Sequence, residues 1–161
     1  MEWVALVTWV LTAGGGFVML GLWLKNGGMA QSATPGERIR ANRILTHFAL
    51  AATGLVVWII YVASDSKALA WIAFVLLLAI ALLGFSMLAT WLGQRSRERP
   101  AAADAPAATA EGAGTAVEAA GSGRDLVPAE QTFPTPVVAL HGVLAATTLV
   151  LVLLVAAGVG D

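Results

Sequence analysis

The chain has 161 residues, 58% of them hydrophobic and only 12% charged, with a net charge of −1 and a mean hydropathy of +0.81. Soluble domains carry about 25% charged residues, so this composition excludes a domain that lives in water, and its near-neutral charge gives no field for nucleic acid. It contains no cysteine, which excludes disulfides, thiolate metal sites and thiol catalysis.

Four stretches without Lys, Arg, Asp or Glu follow one another along the chain: Trp3–Leu24, Ile44–Ala63, Ala68–Gly93 and Pro136–Gly158. A helix needs about 20 apolar residues to cross a hydrocarbon core, and in lipid the backbone must satisfy its own hydrogen bonds, so each is expected to be a transmembrane helix. The first does not read as a signal peptide, since Glu2 stands where a basic residue is needed and no cleavage site closes it. The first connection holds Lys25, Arg38, Arg40 and Arg43, and the third opens with Arg95, Arg97 and Arg99. The second, Ser64–Lys67, carries one Lys beside an Asp, and the ends carry Glu2 and Asp161. The excess of basic residues places the first and third connections in the cytoplasm and both termini outside a bacterial plasma membrane. Trp3, Trp23, Trp58, Trp71 and Trp91 fall near span ends, where interfacial anchors belong, and Trp9 lies deeper, where it would pack. Residues 100–130 are mostly Ala, Gly, Pro, Ser and Thr with scattered acids. They lack the apolar bulk to offset the entropy of ordering, and are expected to form a disordered cytoplasmic loop.

An internal repeat organises the spans. An offset of 68 positions lays Trp3 on Trp71, Gly16-Phe17 on Gly84-Phe85, Met19-Leu20 on Met87-Leu88 and Trp23-Leu24 on Trp91-Leu92. For the other two spans the offset is 94: His47 falls on His141, Leu50-Ala51-Ala52-Thr53 on Leu144-Ala145-Ala146-Thr147, and Leu55-Val56 on Leu149-Val150. Leu, Ala and Val matches are cheap in membrane helices, whereas Trp, Phe, Met and His matching in order are not. The expected fold is all-α: a transmembrane four-helix antiparallel bundle built from a duplicated helical hairpin. Residues 1–63 form the first hairpin and 64–161 the second, related by a pseudo-twofold axis along the membrane normal.

His47 and His141 are the only two histidines. The repeat puts them at one depth near the cytoplasmic face on helices running the same way, so their imidazoles can converge across the axis. Ionisable residues within a span face the bundle interior and have a use there. The best-fitting occupant is a b-type haem with both histidines as axial ligands, which needs no cysteine for attachment. Ala51 and Gly54 follow His47 at helical spacing, and Ala145 and Thr148 follow His141, with Gly142 directly after it; these small residues would leave room for a flat macrocycle. Arg43 and Arg40 continue the His47 face toward the cytoplasm and could pair with haem propionates, although membrane orientation alone also accounts for them. Met19 and Met87 share this depth and leave copper open as an alternative, against ordinary packing by methionine. The plain alternative for the histidines is hydrogen bonding between helices.

With the motif His-x-x-Leu-Ala in both copies, the chain resembles small bacterial four-helix b-type membrane cytochromes, such as the haem-bearing anchors of succinate dehydrogenases. The resemblance covers the spans and not residues 100–130. It implies electron transfer or haem handling, with quinone or a membrane oxidoreductase subunit as partner. Histidines at one depth only imply a single haem. No residue set has the pattern of a catalytic acid, base or nucleophile, so an electron carrier is expected ahead of a stand-alone enzyme. The competing readings are a cofactor-free scaffold or assembly subunit and a copper-binding membrane protein.

Overall fold

The computed structural model describes residues 1–32, 39–103 and 127–159, with side chains excepted at 98–103. It is helical, with no strand among the described residues. In chain order come α1 (Glu2–Lys25), a single turn α2 (Gly28–Gln31), α3 (Ala41–Ser64), α4 (Lys67–Ala103), a 3-10 turn (Ala129–Thr132) and α5 (Thr135–Ala156). The four long helices are each long and apolar enough to cross a membrane, and at most 17% of any span's apolar window is buried. Most of the apolar surface therefore faces outward, as a lipid solvent requires and water would not tolerate. This is the architecture of a multi-pass membrane protein.

Local signals end the helices. Gly27, with φ of 77°, turns the chain between α1 and α2. Asp65 closes α3 in the left-handed conformation, φ 54°, a geometry that Asp tolerates better than most residues. Pro134 precedes α5 and Pro136 lies in its first turn, where a missing N–H costs nothing.

α1 packs chiefly on α5 and α3 on α4, with α4 on α5 and α1 on α3 in lesser contact. Neither α1 with α4 nor α3 with α5 packs extensively, so these pairs sit on diagonals. The inward face of α3 runs through His47, Ala51, Gly54, Trp58 and Tyr61, and that of α5 through His141, Ala145, Thr148, Val152 and Val155. Both follow the three-and-four spacing of one helix stripe. The main cluster of buried apolar residues lies at the end nearest the α3–α4 turn. There Trp9, Trp58 and Tyr61 stack with Ala5, Ala73, Leu77 and Val152, the Trp58 and Tyr61 ring centres being 4.7 Å apart.

The opposite end is closed by a cap. The 3-10 turn folds in so that Glu130 is only 1% exposed. Its Oε1 accepts hydrogen bonds from Ile39 N–H at 2.8 Å and Gln94 Nε2 at 3.0 Å, and its carbonyl accepts one from Trp91 Nε1 at 3.1 Å. Gln131 Nε2 donates to Gln94 Oε1, Ala129 N–H to Gln31 Oε1 and Asn26 Nδ2 to Thr132 Oγ1. The three donors to Glu130 come from two parts of the chain, Ile39 ahead of α3 and Trp91 with Gln94 one turn apart on α4, which pins the long connection to the first connection and to α4.

The helix that carries the span Ala68–Gly93 runs on to Ala103. Two expectations change. The expected disordered loop is helical over 100–103 and has Ala129 and Glu130 buried at its other end, while 104–126 lies outside the described residues. Trp23, Trp58 and Trp91 are core residues rather than interfacial anchors, at 1%, 0% and 4% exposed; Trp3 and Trp71 remain exposed at 63% and 45%. The inward stripe, and not nearness to a helix end, decides where these rings go.

Candidate functional site

His47 and His141 each lie six residues into their helices, α3 beginning at Ala41 and α5 at Thr135. Both are half-buried and on the inward stripe. Their ring centres are 6.4 Å apart with planes inclined at 53°. With metal–imidazole bonds of about 2.0–2.1 Å, two rings meeting at one ion would have centres roughly 6 Å apart. The spacing is therefore compatible with one ion between them.

Each ring rests on the backbone of a neighbouring helix. His141 Nδ1 lies 2.9 Å from the Thr12 carbonyl of α1; a carbonyl only accepts, so Nδ1 carries the proton and Nε2 keeps its lone pair. His47 Nδ1 is directed at the Ile80 carbonyl of α4 but falls outside hydrogen-bond geometry and has no other partner. Thr12 and Ile80 correspond under the offset of 68 that aligns Trp3 with Trp71. Glycines make the approach possible. A Cβ added at Gly16 would stand 3.4 Å from His141 Cε1, and one at Gly84 would stand 3.3 Å from His47 Cε1. Since the Nδ1–Cε1 edge of each ring lies on a neighbouring backbone, the Nε2–Cδ2 edge faces away from it. Neither Nε2 has a hydrogen-bond partner among the described residues. A ligating histidine commonly donates its other ring N–H to a backbone carbonyl, which fixes its tautomer and orientation. His141 has that arrangement.

The other expected site residues are distributed differently. Ala51 and Ala145 are half-buried on the same stripes as the histidines. Gly54 is buried, but its open side is filled by Trp9, whose Cζ2 would be 2.9 Å from an added Cβ. Gly142 faces outward with nothing near it. The small residues that clear space at the histidines are thus Gly15, Gly16 and Gly84 on α1 and α4. Arg43 and Arg40 are exposed around the start of α3, Arg43 one turn before His47. Met19 and Met87 are half-buried one turn beyond Gly16 and Gly84. Among the described residues no group of three or more His, Cys, Asp or Glu could hold a metal ion.

The sequence reading missed Thr12, Ile80 and Gly15, which act on the histidines through backbone or through lack of a side chain. A signal was present in that Gly16 and Gly84 match under the repeat just as the histidines do. Compared with protein-family models, curated proteins and solved structures, the chain shows no significant match.

Proposed function

We propose that the protein is a membrane cytochrome of b type that holds one haem between α3 and α5, with His47 and His141 as axial ligands. The observation that carries this reading is the pair of imidazoles on diagonal helices, 6.4 Å apart, each with one ring edge on a neighbouring backbone and its Nε2 unengaged. A purely structural histidine in a membrane helix would be expected to spend its polar atoms on other helices. His47 faces the Ile80 carbonyl, yet among the described residues its buried Nδ1 makes no hydrogen bond within normal geometry.

The reading includes an antiparallel bundle made by duplication of a helical hairpin. Supporting it, His141 meets Thr12 and Gly16 while His47 meets Gly84 and faces Ile80, and α1 packs on α5 as α3 packs on α4. With Lys25, Arg40, Arg43, Arg95 and Arg97 at the capped end, that end is taken as cytoplasmic, in a bacterial inner membrane with both termini outside. When bound, haem supplies one-electron iron chemistry. The residues of the chain itself bind and orient: the two histidines ligate, the Thr12 carbonyl sets the tautomer of His141, and Gly16 and Gly84 let the rings lie against backbone. Arg43 and Arg40 are the cations available to carboxylates at the membrane boundary. Quinone or a membrane oxidoreductase subunit would be the redox partner.

The test is an optical spectrum of the protein purified in detergent and supplied with hemin. A Soret band with sharp α and β bands on dithionite reduction is expected. Protein that stays colourless, or that takes up copper in proportion to Met19 and Met87, would replace this reading.

A further inference from the structure

The two histidine settings correspond in position but not in bonding. His141 is tied to the Thr12 carbonyl at 2.9 Å, whereas His47, though it faces the Ile80 carbonyl, has its buried Nδ1 without a hydrogen bond of normal geometry among the described residues. One sequence difference coincides with this. His141 lies against two successive glycines, and a Cβ at Gly15 would be 3.5 Å from both His141 Cβ and Nδ1. The position matching Gly15 on α4 is Leu83, which is half-buried, and His47 has only Gly84 beneath its ring. α1 thus offers its imidazole a wider strip of bare backbone than α4 does.

We infer that the two histidines are unequal by construction: Thr12 and Gly15 position His141 as the anchored ligand, and His47, whose contact with the Ile80 carbonyl falls short of hydrogen-bond geometry, is the exchangeable one. The ranking rests on the reading above as a two-histidine centre, but the inequality of the rings does not. A backbone acceptor on the second ring nitrogen fixes the ring and raises its basicity, and losing such a partner commonly costs 10–100-fold in metal affinity.

Nitrogen-15 NMR of the histidines in cofactor-free protein reads the inequality directly. His141 should show one tautomer, protonated at Nδ1, and His47 a mixture. Gly15→Leu, which copies α4, should move the His141 signature toward that of His47, and Leu83→Gly should move His47 the other way. Identical signatures for the two rings in the wild-type protein would overturn the inference, as would a His141 signature indifferent to Gly15→Leu in a folded variant. Hemin titration then tests the ranking. His141→Ala should lose roughly 10–100-fold more affinity than His47→Ala, and His47→Ala should keep a spectrum of a single-histidine centre. Equal losses would overturn the ranking. Wild-type protein that binds no hemin would overturn the cytochrome reading and the ranking with it, leaving the NMR result to decide the inequality alone.

Discussion

At the cap, Glu130 Oε1 takes hydrogen bonds from Ile39 N–H and Gln94 Nε2, and the Glu130 carbonyl takes one from Trp91. At the histidine layer, halfway along α1, His141 makes one hydrogen bond among the described residues and His47 makes none of normal geometry. Both places put polar groups inside an apolar molecule, where an unanswered group costs about 1–3 kcal/mol. The cap resolves that cost within the chain, so its polar atoms hold the fold together. The histidine layer leaves part of it standing, and the proposed haem would be what answers it. Trp58 Nε1, buried and also without a partner, shows that an isolated orphan donor is not by itself a site. At the histidines, two rings converge.

The sharpest division between the two places should come from His47→Leu combined with His141→Leu. Hemin binding should disappear entirely while helicity and elution volume in detergent stay as in the wild type; a double variant with an unchanged spectrum would erase the distinction. Next in size, Gly16→Leu would put a branched side chain where a Cβ already stands 3.4 Å from the His141 ring. It should lower hemin affinity by about 10-fold or more by displacing the ligand from its backbone rest, measured by titration. Glu130→Ala should do the reverse. Stripping Ile39 N–H and the Gln94 amide of their acceptor should cost about 1–3 kcal/mol of stability, seen in thermal unfolding, with the positions of the absorption bands unmoved. Smallest is Arg95→Ala. The guanidinium lies 4.4 Å from the Trp91 ring centre and donates to the exposed Thr135 Oγ1, and its loss should cost about 1 kcal/mol.

The legible and illegible parts of the sequence separate along similar lines. The four spans could be read because an unbroken apolar run of sufficient length has one solution in lipid; the helices cover the first three entirely and the fourth as far as Ala156. His47 and His141 could be singled out because a pair of matched imidazoles is chemically conspicuous. Glu130 could not, because an acid in a stretch rich in Ala, Gly, Pro and Thr has the composition of solvated chain, and its burial depends on contacts with Ile39 and Gln94 far away in sequence. Trp23 and Trp91 were read by their nearness to span ends. Their spacing carried the better signal, since Ala5, Trp9, Thr12, Gly16 and Trp23 lie on one inward stripe, as do Ala73, Leu77, Ile80, Gly84 and Trp91. Gly54 was read as space for a macrocycle because neither length nor composition shows that Trp9 reaches across to fill it.

The diagonal placement of α3 and α5 has a mechanical consequence. Lacking extensive contact of their own, these helices are held in position by α1 and α4, so the molecule resembles a frame with sides but no strut. Anything gripped by both imidazoles would brace that frame corner to corner. Loading should then stiffen the whole assembly against shear as well as fill a site, and amide exchange along α3 and α5 should slow together when it happens.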